Sequence, residues 1–191
     1  MEGKRVNETL KNIKERYACR DYSDQMPSEE QLAAIAQAAI EAPSGMNRQF
    51  WHVAVVTNKE LISEMEKEGL EMIRQTSQSG YERLMSRGGT LFYHAPCVVY
   101  FAIKTASPAG AELVDLGIIA QNVALAATSL GLASCHCGFA AMAFAGKKKE
   151  SFKKKLQFPD GYECGMAVLL GYAKASGTPH VPDQSKISWI R

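Results

Sequence analysis

The chain has 191 residues, of which 46% are apolar and 22% charged, and its net charge is +2. This length suits one domain spanning 1–191, and the near-neutral charge argues against a nucleic-acid-binding protein. The N-terminus is polar and lacks the apolar core of a secretory signal peptide.

The same composition indicates a cytoplasmic protein that does not associate with membranes. Five cysteines, an odd number in mostly apolar surroundings, suggest reduced thiols rather than a disulfide framework. The longest apolar segment is interrupted by Asp115, Gln121 and Asn122, so no stretch is expected to span a bilayer.

The first third of the chain predicts two helices and a strand. Apolar residues recur at helical spacing over 5–17. A second helix starts after Ser28, which can form a capping box with Gln31, and it ends at Pro43. The β-branched and apolar run over 51–56 then predicts a central strand.

The middle of the chain predicts a helix, a strand and an unusual second helix. Asn58 caps a helix over 59–75, and 95–103 is a buried strand; no structure is predicted for 76–92. The helix over 111–131 is apolar almost all round, so it must be buried on every side. A domain this small achieves that most economically at a subunit interface.

The C-terminal part predicts shorter elements. These are a strand or loop over 133–140, a helix over 143–156, a strand over 164–170 and an extended tail from 173 onward. We find no internal repeat and no linker that would divide the chain.

Two polar clusters are candidate binding residues. If the chain runs extended after Arg16, then Arg20 lies on the same side about 13 Å further on, at about 3.3 Å per residue. That spacing suits one guanidinium at the phosphate and one at the far ring of a mononucleotide. Alternatively, both are surface charges paired with Glu15 and Asp21.

The second cluster is the loop over 43–49, which is separated from the first by a single helix. Its Ser44, Asn47 and Gln49 precede an aromatic pair, as in a ligand pocket with an apolar floor. Side chains of this type equally often satisfy the backbone of their own turn.

These clusters belong to an ordered set of motifs that resembles the nitroreductase superfamily of FMN-dependent oxidoreductases. In chain order the motifs are Arg16-x-x-x-Arg20-x-Tyr22, Ala42-Pro43-Ser44-x-x-Asn47-x-Gln49-x-Trp51, Tyr93-x-Ala95-Pro96, Asp115-x-Gly117, Gln121-Asn122, Ala126-Ala127, Gly131-Leu132, Cys135-His136-Cys137-Gly138, Gly161-Tyr162 and Leu170-Gly171-Tyr172. The resemblance therefore covers nearly the whole chain.

The resemblance implies an α+β fold with a central, mostly antiparallel sheet flanked by helices, in an intertwined homodimer with FMN at the subunit interface. It implies an enzyme that uses NADH or NADPH to reduce nitroaromatics, quinones or similar small electrophiles, without a catalytic side chain or a metal. Related chemistry, such as enone reduction, dehalogenation or flavin cleavage, stays open. The alternative from another class is a flavin-binding redox sensor or FMN carrier without turnover.

By position, the resemblance also implies which residues bind the cofactor. Arg16 and the backbone around Tyr17 and Ala18 would hold the phosphate and ribityl end. Arg20 would face the pyrimidine edge of the ring, where a cation stabilises negative charge.

The remaining implied contacts come from the 43–49 loop, from the backbone near Cys137 and Gly138, and from the tail. Pro43, Ser44 and Asn47 would come from the partner subunit, and the backbone near Cys137 and Gly138 would lie beside the flavin N5. The tail would contact the phosphate.

Two departures from the family pattern affect these contacts. Family members often carry serine where this chain has Ala18, and they usually offer a tail arginine to the phosphate. The tail of this chain has none before its last residue, so His180 is the first candidate replacement and Lys174 the second.

Two other kinds of site find no support in the sequence. Cys135-His136-Cys137 lacks the spacing and the fourth ligand of a structural zinc site. No glycine-rich dinucleotide fingerprint follows a strand.

Overall fold

The computed structural model describes residues 7–104 and 110–191. Its α-helices are α1 (Glu8–Glu15), α2 (Glu29–Ile40), α3 (Lys59–Thr76), α4 (Gln78–Met85), α5 (Ala111–Ser129) and α6 (Lys149–Lys155). Its strands are β1 (Trp51–Val56), β2 (Cys97–Ile103), β3 (Ala133–Cys137) and β4 (Glu163–Gly171). Short 3₁₀ helices cover Gly45–Asn47, Gly138–Phe144 and Gln184–Lys186.

The four strands form one antiparallel sheet in the order β1-β2-β4-β3. Every residue of β2 is buried, because this apolar strand lies inside the sheet and is covered on both faces. The arrangement confirms the predicted α+β fold with a central antiparallel sheet. The prediction that 51–56 is a central strand is wrong, because β1 lies at one edge of the described sheet and its residues are mostly half-buried.

The side chains of β2 alternate between two hydrophobic clusters. Val98, Tyr100 and Ala102 pack into a cluster that includes residues of α3, α4 and α6. Val99 and Phe101 face the other cluster, which includes residues of α2 and α5. This two-residue period is the expected consequence of pleated strands, and it places helices on both faces of the sheet.

Two predicted helix caps are confirmed. Ser28 and Gln31 form both hydrogen bonds of a capping box at the start of α2. The Asn58 side chain accepts a hydrogen bond from the Leu61 backbone N–H at 2.7 Å.

Two predicted helices have different bounds in the structure. The described part of the first is shorter than 5–17, since α1 ends at Glu15; residues 5 and 6, including the predicted apolar Val6, lie outside the described residues. The predicted helix over 143–156 is wrong in its first half. A 3₁₀ helix covers Gly138–Phe144 instead, and Gly146, a weak helix former, lies between it and α6.

Helix α5 confirms the predicted long apolar helix, and a single chain leaves part of its surface uncovered. Leu113 and Val114 are 63% and 65% exposed, although neighbouring faces pack against α2, β3 and β4. By length and composition alone α5 could cross a membrane. Its contacts with the sheet identify it instead as a helix of the protein core.

Candidate functional site

The first polar cluster lies on an extended segment held between two parts of the sheet. Ala18 forms a parallel bridge with Ser134 in β3, and the Cys19 backbone N–H donates to the Ser134 carbonyl at 2.9 Å. On the other side, Tyr22 forms an antiparallel bridge with Ala173, just after β4. The segment is therefore extended, as the sequence predicts.

The two arginines of this segment form no ion pairs within the described part of the chain. Asp21 pairs with Lys174 at 3.2 Å instead, and Glu15 makes no ion pair with Arg16. The structure therefore does not support the alternative in which Arg16 and Arg20 are surface charges paired with Glu15 and Asp21. Both guanidiniums remain available to an anionic ligand.

A first cavity, of about 400 Å³, borders this segment. Its lining includes Tyr17, Ala18 and Arg20, together with Gly177 of the tail. Gly177 lies so close to the Tyr17 ring that a side chain at 177 would overlap it. A volume of this size falls within the range of about 300–1,000 Å³ typical of small-molecule sites.

A second cavity, of about 170 Å³, shares Arg20 with the first as a lining residue. It is bordered by Cys137 and Gly138 at the end of β3, and by Arg83 and Arg87 from the end of α4. The structure thus brings Arg20, Cys137 and Gly138 together, as expected, although more than a hundred residues separate them in sequence.

The two thiols and the imidazole around the second cavity are held in their neutral forms. Burial raises the pKa of the Cys137 thiol to about 12 and also raises the pKa of Cys135. Burial, assisted by the positive charge of Arg16, lowers the pKa of His136. At neutral pH the charge of this cavity therefore comes from its arginines.

The Cys135-His136-Cys137 run does not converge on one point. The two thiols belong to the hydrophobic cluster on the α3 face, whereas His136 interacts with the backbone carbonyl of Ala120 on α5. No group of three His, Cys, Asp or Glu suited to a metal ion occurs among residues 7–104 and 110–191.

The second polar cluster satisfies its own loop within the single chain. The Ser44 hydroxyl accepts a hydrogen bond from the Gln49 backbone N–H at 3.0 Å, and the Asn47 side chain accepts one from the Gln49 side chain at 2.9 Å. Met46, Asn47 and Gln49 all have left-handed backbone conformations, with φ of 54°, 54° and 49°. Pro43 is exposed, and the loop borders neither cavity.

Within one chain, neither tail residue predicted to bind the phosphate contributes to the cavities. His180 is exposed and lines neither cavity. Lys174 is engaged with Asp21.

Sequence reasoning missed Arg83 and Arg87. Helix α4 ends at Met85, and the chain then turns through Gly88 and Gly89, whose φ values of 103° and 71° favour glycine. The available signal was the four-residue spacing of two arginines before a Gly-Gly pair. That signal cannot show which part of the fold the arginines face.

Glu66 of α3 positions the segment that follows this turn. One carboxylate oxygen accepts hydrogen bonds from the backbone N–H groups of Leu91 and Phe92, at 2.7 and 2.9 Å. Since Leu91 lines the second cavity, Glu66 anchors one wall of the candidate site.

We expect Glu66→Leu to lower the free energy of unfolding by about 2 kcal/mol, because two buried N–H donors lose their acceptor. Urea denaturation measures this change. The control is Glu66→Gln, which keeps an acceptor oxygen and should cost less than about 1 kcal/mol. Equal losses in the two variants would show that the hydrogen bonds do not hold the segment.

Comparison with known proteins places these features in a family context. The family model described as the Nitroreductase family matches residues 13–172. A candidate NADH dehydrogenase/NAD(P)H nitroreductase of Archaeoglobus fulgidus is 28% identical over 171 residues, which are 88% of this chain and 87% of the relative.

Solved structures show the same fold. A nitroreductase with bound FMN from Desulfitobacterium hafniense DCB-2 is 55% identical, with a TM-score of 0.94 over 97% of this chain and 100% of the relative. A nitroreductase with bound FMN from Bacteroides fragilis NCTC 9343 is 26% identical, with a TM-score of 0.87 and the same coverage of 97% and 100%.

Proposed function

The chain belongs to the nitroreductase family, and on that premise we propose that it is an FMN-dependent oxidoreductase using NADH or NADPH to reduce nitroaromatics, quinones or similar small electrophiles. One observation carries the proposal. Two guanidiniums without a carboxylate partner in the described residues stand on an extended segment, and one of them, Arg20, lines two cavities. Similar proteins from two other bacteria hold FMN in their solved structures.

The donor set of this segment fits FMN. Arg16 offers a charge-assisted fork for the phosphate dianion, and the backbone of Tyr17 and Ala18 borders the cavity for the ribityl chain. Arg20 would hold the pyrimidine edge of the ring, and the backbone at Cys137 and Gly138 would lie beside the ring on the far side of Arg20. Bound FMN would supply the hydride chemistry itself.

In this proposal the protein binds and orients, and no side chain has to transfer a proton. Because the thiol of Cys137 and the imidazole of His136 are held neutral, the arginines carry the charge of the site. A positive charge at Arg20 favours electron transfer to the ring, since it offsets the negative charge that arrives.

We further propose that the single domain, 1–191, works as a cytoplasmic homodimer that completes each site. The 43–49 loop borders neither cavity of its own chain, so Pro43, Ser44 and Asn47 would reach the cofactor of the partner. Exposed apolar residues support an interface, namely Leu10, Ile13, Met46, Leu113, Val114, Val181, Ile187, Trp189 and Ile190. In this assembly His180 would reach an FMN phosphate.

Purification tests the proposed function. A yellow protein that oxidises NADH or NADPH when menadione or a nitroaromatic is added supports a reductase. A yellow protein that reacts with neither nucleotide would favour the redox sensor or FMN carrier. A colourless protein that takes up no FMN would contradict both.

We expect Arg20→Ala to lower the reduction potential of the bound flavin by about 30 mV, equivalent to roughly 1.4 kcal/mol for a two-electron couple. The reason is the loss of a positive charge beside the ring. Anaerobic equilibration with a reference dye measures the potential. Arg20→Lys is the matched control, because it keeps the charge, and an unchanged potential in Arg20→Ala would remove Arg20 from the ring edge.

A further inference from the structure

The proposed function leaves two cations of the second cavity without a task. Arg83 lies in the last turn of α4 and Arg87 in the turn that follows, and both line the cavity together with Arg20. Neither forms an ion pair in the part of the chain that the structure describes. The N–H donors of both guanidiniums are therefore available to a ligand in this cavity.

No carboxylate lines this cavity among the described residues. The Glu66 carboxylate accepts hydrogen bonds from the backbone N–H groups of Leu91 and Phe92 and does not line the cavity. The thiol and imidazole groups of the wall are neutral at pH 7, as described above. A cleft lined by charges of one sign concentrates ligands of the opposite sign.

The two arginines lie at the C-terminal end of α4, Arg83 in its last turn and Arg87 just beyond its end, and both border the same cavity. Between them, Leu84 is buried in the core, and the Gly89 N–H donates to the Leu84 carbonyl at 3.1 Å. The turn that carries Arg87 is thereby tied to the end of α4.

The position of the cavity places this anion site near the proposed cofactor. Arg20, which would hold the edge of the flavin ring, lines the same space as Arg83 and Arg87. The same space is bordered by Gly138, beside which the proposed flavin ring lies. A substrate whose anionic group binds these arginines would therefore have its reducible group near the proposed flavin ring.

We propose that Arg83 and Arg87 bind a carboxylate on the oxidising substrate, so that the enzyme prefers aromatic acids over their neutral analogues. This inference rests on the proposed function and names the substrate class of the same site. With a nitroaromatic acid, the nitro group takes up two electrons and two protons, one hydride from NAD(P)H and one proton from solvent. It becomes a nitroso group and releases water.

The test uses the FMN-loaded protein with 4-nitrobenzoate and its neutral analogue 4-nitrobenzamide. In the double variant Arg83→Gln/Arg87→Gln, the ratio of kcat/KM for the acid to that for the amide should fall about tenfold to a hundredfold, the effect of losing one or two charge-assisted hydrogen bonds. The matched control is Lys67→Gln/Lys147→Gln, which removes the same charge from exposed lysines outside both cavities and should leave the ratio unchanged.

A second readout does not depend on turnover. Calorimetric titration with benzoate, which is not reduced, should give a dissociation constant about tenfold higher in the double variant than in the control. This measurement separates the two levels of proposal. If the wild type fails to oxidise NAD(P)H with any oxidant, the proposed function fails, while benzoate binding still decides whether the arginines form an anion site.

Three results would overturn the assignment to the oxidant. The first is an unchanged acid-to-amide ratio together with unchanged benzoate binding. The second is a loss confined to NADPH relative to NADH, which would assign the arginines to the phosphate of the donor. The third is a weakened affinity of the apoprotein for FMN, which would assign them to the cofactor.

Discussion

Replacing Arg16 with glutamine is expected to raise the dissociation constant for FMN about a hundredfold, because a charge-assisted contact with the phosphate is lost. The effect should be large for a structural reason. Among the described residues, Arg16 has no carboxylate partner that could compensate for its removal. Of the two candidate replacements in the tail, His180 lines neither cavity and Lys174 already pairs with Asp21.

Quenching of FMN fluorescence on titration of the apoprotein measures this affinity. Lys14→Gln is the matched control, since it removes the same charge from an exposed position of α1 two residues earlier. The control should bind FMN as the wild type does. Equal weakening in both variants would mean that Arg16 acts only through the general charge of the surface.

Changing both Trp189 and Ile190 to aspartate is expected to raise the dissociation constant of the dimer about a thousandfold, from the loss of two buried apolar side chains at about 2 kcal/mol each. In a single chain these side chains are 77% and 93% exposed. The substitutions should therefore leave the fold of the protomer intact. Because the proposed site draws residues from both subunits, FMN affinity should fall as well.

Sedimentation equilibrium measures this effect. The double variant Gln184→Asp/Ser188→Asp places the same charge on the same exposed tail without removing apolar area, so it should remain dimeric. An unchanged association constant in the Trp189 and Ile190 variant would remove the tail from the interface. A wild type that is monomeric and loaded with FMN would contradict the shared site altogether.

The parts of the fold that could be predicted were those whose signals are local. The apolar run over 51–56 and the capping residues Ser28 and Asn58 determine their own elements, and the strand and both caps are present. The position of that strand at the edge of the sheet could not be predicted, because it depends on pairing with distant strands. The start of the predicted helix over 143–156 was wrong, because apolar spacing does not show where a 3₁₀ helix ends and an α-helix begins.

The candidate site could be predicted only in part, because local sequence signals do not show which distant residues pack together. Arg20, Cys137 and Gly138 were identified through their motifs, and the structure brings them to one cavity. Arg83 and Arg87 stand in a segment without a clear period, and only the packing of α4 turns them toward that cavity. The partners of Ser44 and Asn47 lie within their own loop in one chain, so their assignment to FMN depends on a second subunit.

Anaerobic titration of the purified, FMN-loaded protein with NADH and with NADPH tests the proposed oxidoreductase most directly. At least one nucleotide should abolish the flavin absorbance band at about one equivalent per bound FMN, and menadione should restore it, because the cofactor accepts and returns hydride. A flavin band that stays unchanged with both nucleotides would contradict the proposed function.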